Sequence, residues 1–133
     1  MGIKMRYEDS DALQVFLNGI EKATEEVEDR YLKRAGQATK DMVKGVLGKL
    51  ATKNNNIDYK HMKDDVHLNI KKDKFGYKVA RVAGGKKTGT KWHLVNDGTY
   101  RSEATHFMDW TVKMLEEGEL ERIFEEEMRK AGF

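Results

Sequence analysis

The stretch WHLVNDGTYRSEATHFM at residues 92–108 gathers the side chains best suited to chemistry: two histidines, an acid–glycine pair and several hydroxyls. A hydrolase built here would need a nucleophile, a base and an orienting acid within mutual reach. Ser102, His106 and Asp97 or Asp109 supply the residue types. No nucleophile elbow or carboxylate pair surrounds them, and Ser102 reads as a cap or loop hydroxyl. Acid–base work by Asp97 and Glu103 has no supporting pattern either. His61, His67, His93 and His106 lack HExxH spacing. His106 and Asp109, three apart on a helix, offer two metal ligands at most, where a zinc site takes three or four protein ligands. The expectation is a protein that is not an enzyme, with no catalytic residue, cofactor or metal site.

Two further segments invite ligands. Residues 84–90 are glycine-rich, but they lack GxxxxGK[ST] and are expected between strands, not before a helix. Lys86, Lys87 and Lys91 then read as a flexible basic loop, residues 83–91, that orders against a neighbour. Lys71, Lys72, Lys74, Lys78, Arg81 and Arg101 extend the basic segment, with Phe75 and Tyr77 interleaved. A strand-borne platform of that kind could stack bases. However, Phe75, Tyr77 and Val79 would share one strand face and read as core, and no RNP-like, GXXG or zinc-finger pattern is present. A small nucleic-acid-binding or regulatory protein using residues 61–101 is the alternative function, with direct nucleic-acid contact the lesser expectation.

The elements that must position these residues emerge from periodicity. The chain has 133 residues, 36% charged, with no proline and no cysteine. That suits one domain, residues 1–133, with a modest core and no disulfide or thiolate chemistry. No signal peptide and no apolar run of membrane-spanning length is apparent, so a soluble protein made in the cytoplasm is expected. From Leu13 to Leu50 apolar residues recur every three or four positions, predicting one long amphipathic helix over residues 11–50, bent or interrupted near Gly36. Ser10 or Asp11 would cap it, and unbroken it would span roughly 60 Å. Residues 51–64 read as a polar connection. Val66, Leu68 and Ile70 alternate with polar residues, Lys72-Asp73-Lys74 turns the chain, and residues 75–82 alternate again: a hairpin. Trp92, Leu94 and Val95 read as a third strand. Phe107, Trp110, Thr111, Met114 and Leu115 then share one helix face, and Leu120, Ile123, Phe124 and Met128 another. The fold expected is α+β: a long N-terminal amphipathic helix packed on a small, mostly antiparallel sheet, with two short C-terminal helices.

WHLVNDGT followed by THFMD also resembles the signature of a family of small phage and prophage proteins, described as minor tail, head–tail joining or tail-completion proteins of long-tailed phages. The matching positions are Trp92, His93, Leu94, Val95, Asn96, Asp97, Gly98 and Thr99, then His106, Phe107 and Met108. The family often carries glutamate and an aromatic where this chain has Asn96-Asp97, and a proline just before the helix-opening phenylalanine. The resemblance implies a structural part of the virion neck or tail end, made in the bacterial host cytoplasm. It would assemble as a ring, with six copies expected, against the tail tube or tail terminator and the head-completion or connector proteins.

Charge adds a further expectation. Residues 61–101 hold 10 Lys/Arg against 4 Asp/Glu, while residues 102–133 hold 4 against 9. Copies could therefore meet head to tail, basic face on acidic tail. The interface candidates are Lys86, Lys87, Lys91, Asp97, Gly98, Thr99, Tyr100, Arg101 and Glu103, with Glu125, Glu126 and Glu127 on the acidic side. Trp92, Val95, Phe107 and Trp110 are expected to anchor the motif to the body of the domain.

Overall fold

The computed structural model describes residues 2–8, 11–18, 25–54, 57–74, 76–86, 88–100 and 103–132. The architecture is α+β, a long helix on an antiparallel sheet with short C-terminal helices. In chain order it runs β1 (Gly2–Glu8), β2 (Ala12–Asn18), α1 (Glu25–Asn54), α2 (Ile57–Asp64), β3 (Val66–Lys72), β4 (Lys78–Gly84), a 3-10 turn (Gly89–Lys91), α3 (Trp92–Asp97), α4 (Phe107–Glu116) and α5 (Glu119–Lys130).

Several expectations change. Residues 11–18 begin not a helix but a second strand. Ala12, Leu13, Gln14 and Val15 are all buried, and a run covered on both sides carries no period to distinguish the two. Secondly, the helix after it runs without interruption through Gly36. Thirdly, Trp92–Asp97 is helical where a strand was expected, so Leu94 is exposed instead of lying inward. The 51–64 connection also contains a helix, α2. Ser10, Gly19, Asn55, Asn56, Phe75, Lys87, Arg101 and Ser102 lie outside the described residues.

The sheet order is β1-β2-β4-β3, antiparallel throughout. Each hairpin pairs over seven residues, but the junction between them, β2 with β4, covers only Ala12 to Val15. Arg6 adds a tie across it. Its guanidinium bonds Gln14 Oε1 at 2.6 Å and Asp73 Oδ2 at 2.7 Å, and sits 4.7 Å over the Phe16 ring. Asp73 also accepts the Tyr77 amide, closing the turn between β3 and β4. Val79 is buried as expected, whereas Tyr77 lies just outside the strand and is 69% exposed.

α1 covers the other sheet face. Val27, Tyr31, Leu32, Ala35, Thr39, Val43 and Leu47 form its buried stripe, and Thr39 satisfies its hydroxyl on Ala35 O at 2.8 Å. A β-carbon at Gly36 would press on Leu68 Cδ1 and lie 3.1 Å from Ala80 Cβ, so the helix can lie this close to β3 and β4 only without a side chain there. At Gly45 the same atom would meet nothing. Gly36→Val should therefore lower the unfolding free energy by about 1–3 kcal/mol through overpacking. Gly45→Ala should raise it by about 0.5–1 kcal/mol through helix propensity. Urea titrations of the two variants check both signs.

Candidate functional site

The motif segment is built as a clamp. Asp11, at the turn between β1 and β2, accepts the His93 amide at 3.0 Å and its Nδ1 at 2.6 Å, fixing the start of α3. Trp92, fully buried, meets Phe107 edge to face at 5.3 Å, which locks α3 against α4. Gly98 ends α3 at φ 84° and ψ 168°, a conformation open essentially to glycine alone. The loop then returns: the Thr105 amide and hydroxyl both donate to Val95 O, and the His106 amide donates to Asn96 O.

Asn96 carries the join. It is 5% exposed, and its Oδ1 accepts the Met108 amide at 2.9 Å and, more weakly, that of Asp109 at 3.4 Å. These are first-turn N–H groups of α4 that the helix itself cannot satisfy. The residue at the cap position, His106, makes no side-chain cap bond and holds a left-handed φ of 55°. Asn96 Nδ2 donates onward to Asp97 and Asp109.

Asp109 is thereby a hub. It accepts from the Tyr7 hydroxyl at 2.6 Å, from His106 Nδ1 at 2.9 Å and from Asn96 Nδ2 at 3.2 Å. Partial burial raises its pKa, but these donors outweigh burial and hold the carboxyl below its ordinary range. Tyr7 is shifted upward, first by desolvation and then by its bond to Asp109, with Glu116 and Asp97 adding to it. A phenol held protonated against a carboxylate is a poor base and a poor nucleophile at neutral pH, so the hub positions β1 against α4. A second carboxylate, Asp65, pins the corner after β4. It bonds His67 Nε2 at 2.7 Å, Thr88 Oγ1 at 2.9 Å and the Gly85 amide at 3.1 Å, and these hold its pKa low.

The expected interface residues fall into three sets. Asp97, Tyr100, Glu103, Lys86 and Lys91 are exposed, Tyr100 at 90%; Thr99 is also exposed, beside Gly98. Lys86 and Lys91 flank a corner fixed by Asp65, and the chain leaves that corner as a helix, not a strand. Lys87 and Arg101 lie outside the described residues. Of the acidic tail, Glu125 is exposed, but Glu127 is 2% exposed and Glu126 half-buried. Glu127 pairs with Arg30 at 3.3 Å and Arg34 at 3.2 Å, and Glu126 with Arg34 at 2.8 Å. These acids close α5 onto α1, so reversing them would disturb folding before it could test assembly. Among the anchors, Trp92 and Phe107 are fully buried and Val95 packs on the core; Trp110 instead is 51% exposed. Among the described residues no group of three or more His, Asp or Glu converges on a metal-sized site. Sequence patterns do not single out Tyr7, Asp11 or Asp65 as site residues, since each acts on a partner at least 20 positions away or across the sheet.

Asn96→Ala should cost about 1–2 kcal/mol by stripping the cap from α4. Hydrogen exchange should show the loss first at the Met108 and Asp109 amides. Asp65 and Asp109 have folded pKa values below their unfolded ones. Their stabilisation is therefore complete above about pH 4 and lost as pH falls through the folded values. Asp65→Asn and Asp109→Asn should each flatten the fall in Tm below about pH 4; an unaltered acid limb in both would contradict this.

Compared with known protein families, curated proteins and solved structures, the chain matches none, so its function has to be read from its own residues and geometry.

Proposed function

We propose that the chain is a non-catalytic structural subunit that assembles with copies of itself and completes the tail end or neck of a phage or prophage particle. The observation that carries the reading is the clamp: the motif's buried residues fix both ends of the 98–106 segment, and Tyr100 and Glu103 within it are exposed. Asn96, Trp92 and Phe107 hold the loop's base, while Tyr100 stands 90% exposed. A large aromatic displayed on a braced loop is what a subunit contact requires, because the ordering cost is met before the partner arrives. The resemblance of WHLVNDGT and THFMD to the tail-completion family gives that contact its setting. Asp109 holds β1 to α4 through the Tyr7 hydroxyl, which suits a structural role for this hub.

Partners on this reading are further copies of the chain, then the tail tube or terminator and the head-completion or connector proteins. The basic segment gives the competing reading a concrete test. Light scattering after size exclusion, run over a concentration series, should return a closed multiple of 15.4 kDa, with rings visible by negative stain. A monomer that binds DNA with an affinity falling steeply with salt would establish the nucleic-acid reading instead.

A further inference from the structure

We infer that the groove between the second half of α1 and α2 seats helix α5 of a second copy of this chain, antiparallel to α1; the inference rests on the self-assembly reading and names its interface. The groove is lined by Gly45, Gly48, Lys49 and Thr52 of α1 and by Lys63 of α2. Its floor is bare helix backbone, which the fold itself does not require. A β-carbon at Gly45 would meet nothing, and one at Gly48 would meet only the flexible stem of Lys63, at 3.3 Å from Cδ. Gly36 clears a crossing inside the chain, whereas these two weaken the helix without clearing any backbone or core side chain. What they do allow is the close approach of another chain.

The charges along the groove select the occupant. Asp41, Gly45 and Lys49 follow one another four apart on α1, so an acid, a gap and a cation form one row. Lys63 adds a second cation from the opposite wall, and neither lysine is ion-paired with a described residue. Of the acids nearby, Asp41 holds only the neutral Gln37 Nε2 at 2.9 Å, and Asp64 follows Lys63 on the exposed side of α2. On α5, Glu121, Glu125 and Arg129 are also four apart, all exposed and not ion-paired with any described residue. Arg122, beside Glu121 in sequence, is engaged by Glu119 and Glu126. Laid antiparallel, the two rows complement each other at every step: Arg129 on Asp41, Glu125 over the glycines towards Lys63, and Glu121 on Lys49. A parallel placement would set Glu121 on Asp41 and Arg129 on Lys49, like charge on like at both ends. Asp64 and Glu103, exposed elsewhere, offer no such row.

The chain's own α5 leaves the groove open. It packs on α1 through Arg30 and Arg34, and Gly45 lies 11 residues beyond Arg34, roughly 16 Å along the helix. The groove and the outward side of α5 are therefore separate surfaces of one molecule. Contact between them is head to tail and can repeat around a ring.

Sedimentation velocity over a concentration series tests this on the full chain, with urea titrations confirming that each variant is folded. The wild type should associate. Gly45→Gln fills the groove with a better helix former, so it should resist urea at least as well as the wild type yet associate about tenfold or more weakly. Lys49→Glu and Glu121→Lys change exposed residues and should each weaken association about tenfold, as facing like charges do. The double variant should recover much of that loss. A wild type that associates while Gly45→Gln associates equally well overturns the inference and leaves self-assembly standing. So does a double charge variant no better than either single one. A wild type that stays monomeric at millimolar concentration removes the assembly reading itself, and this inference with it.

Discussion

How closely α1 lies on the sheet decides most of what else can pack. One helix of 30 residues touches β2, β3 and β4 and also α4 and α5, so its stripe serves two clients at once. Gly36 removes the side chain at the crossing, where a β-carbon would come within 3.1 Å of Ala80 Cβ. That leaves Tyr31 and Leu32, a turn earlier, to fill the space towards the C-terminal helices, and Tyr31 meets Phe124 of α5 edge to face at 5.6 Å. Were α1 lifted from the sheet, the same residues could not reach both clients. The glycine's cost in helix propensity, about 1 kcal/mol, is small beside the apolar area that the close approach buries.

The outer border of that packing is ionic. Arg30 and Arg34 are a turn apart on α1, and Glu126 and Glu127 adjacent on α5, so the pairs meet across the helix interface. Glu127 is buried in a position where an amphipathic pattern would place an apolar residue. It is tolerated because its charge is matched by two guanidiniums that keep about a third or more of their own surface in water. Arg122, through Glu119 and Glu126, extends the network along the exposed side of α5. Two acids of the last third, Glu126 and Glu127, thus serve the fold by holding α5 to α1, while most of the others face outward.

Legibility in the sequence tracks the range of the interaction. The β3–β4 hairpin and its turn are readable because alternation and turn residues are local, and α4 and α5 because their apolar spacing is. The buried stripe of α1 is only partly readable. Its second half runs through Thr39, Val43 and Leu47, with Ala38, Met42 and Val46 beside it, because a threonine that bonds back to Ala35 can occupy a core position. On α5 the same ambiguity arises between Glu127 and Met128, and arginines on another element resolve it. The first hairpin is hidden since β2 is covered on both faces and its apolar run fits either period. Asp11, expected to cap a helix over residues 11–50, instead precedes a strand, and its carboxylate accepts the His93 amide at the start of α3, 82 residues later in the chain.

The motif shows the same limit more sharply. Its order of residues is visible in the sequence, and its roles are not. Asn96 occupies a position that looks like part of a turn, yet its side chain caps a helix beginning 11 residues further on; that role depends on the loop returning. The returning loop depends in turn on Gly98 ending α3 and on His106 accepting a left-handed backbone, a strain of order 1 kcal/mol offset by its bond to Asp109. Trp110, one turn from buried Phe107 by spacing, ends up outside because α4 turns Phe107, Met108 and Thr111 inward and leaves the flank uncovered. Trp110 sits 51% exposed on a helix whose N-terminus is capped by Asn96 and packed through Phe107 on Trp92. The constraint that braces the loop therefore also fixes which face of α4 remains open.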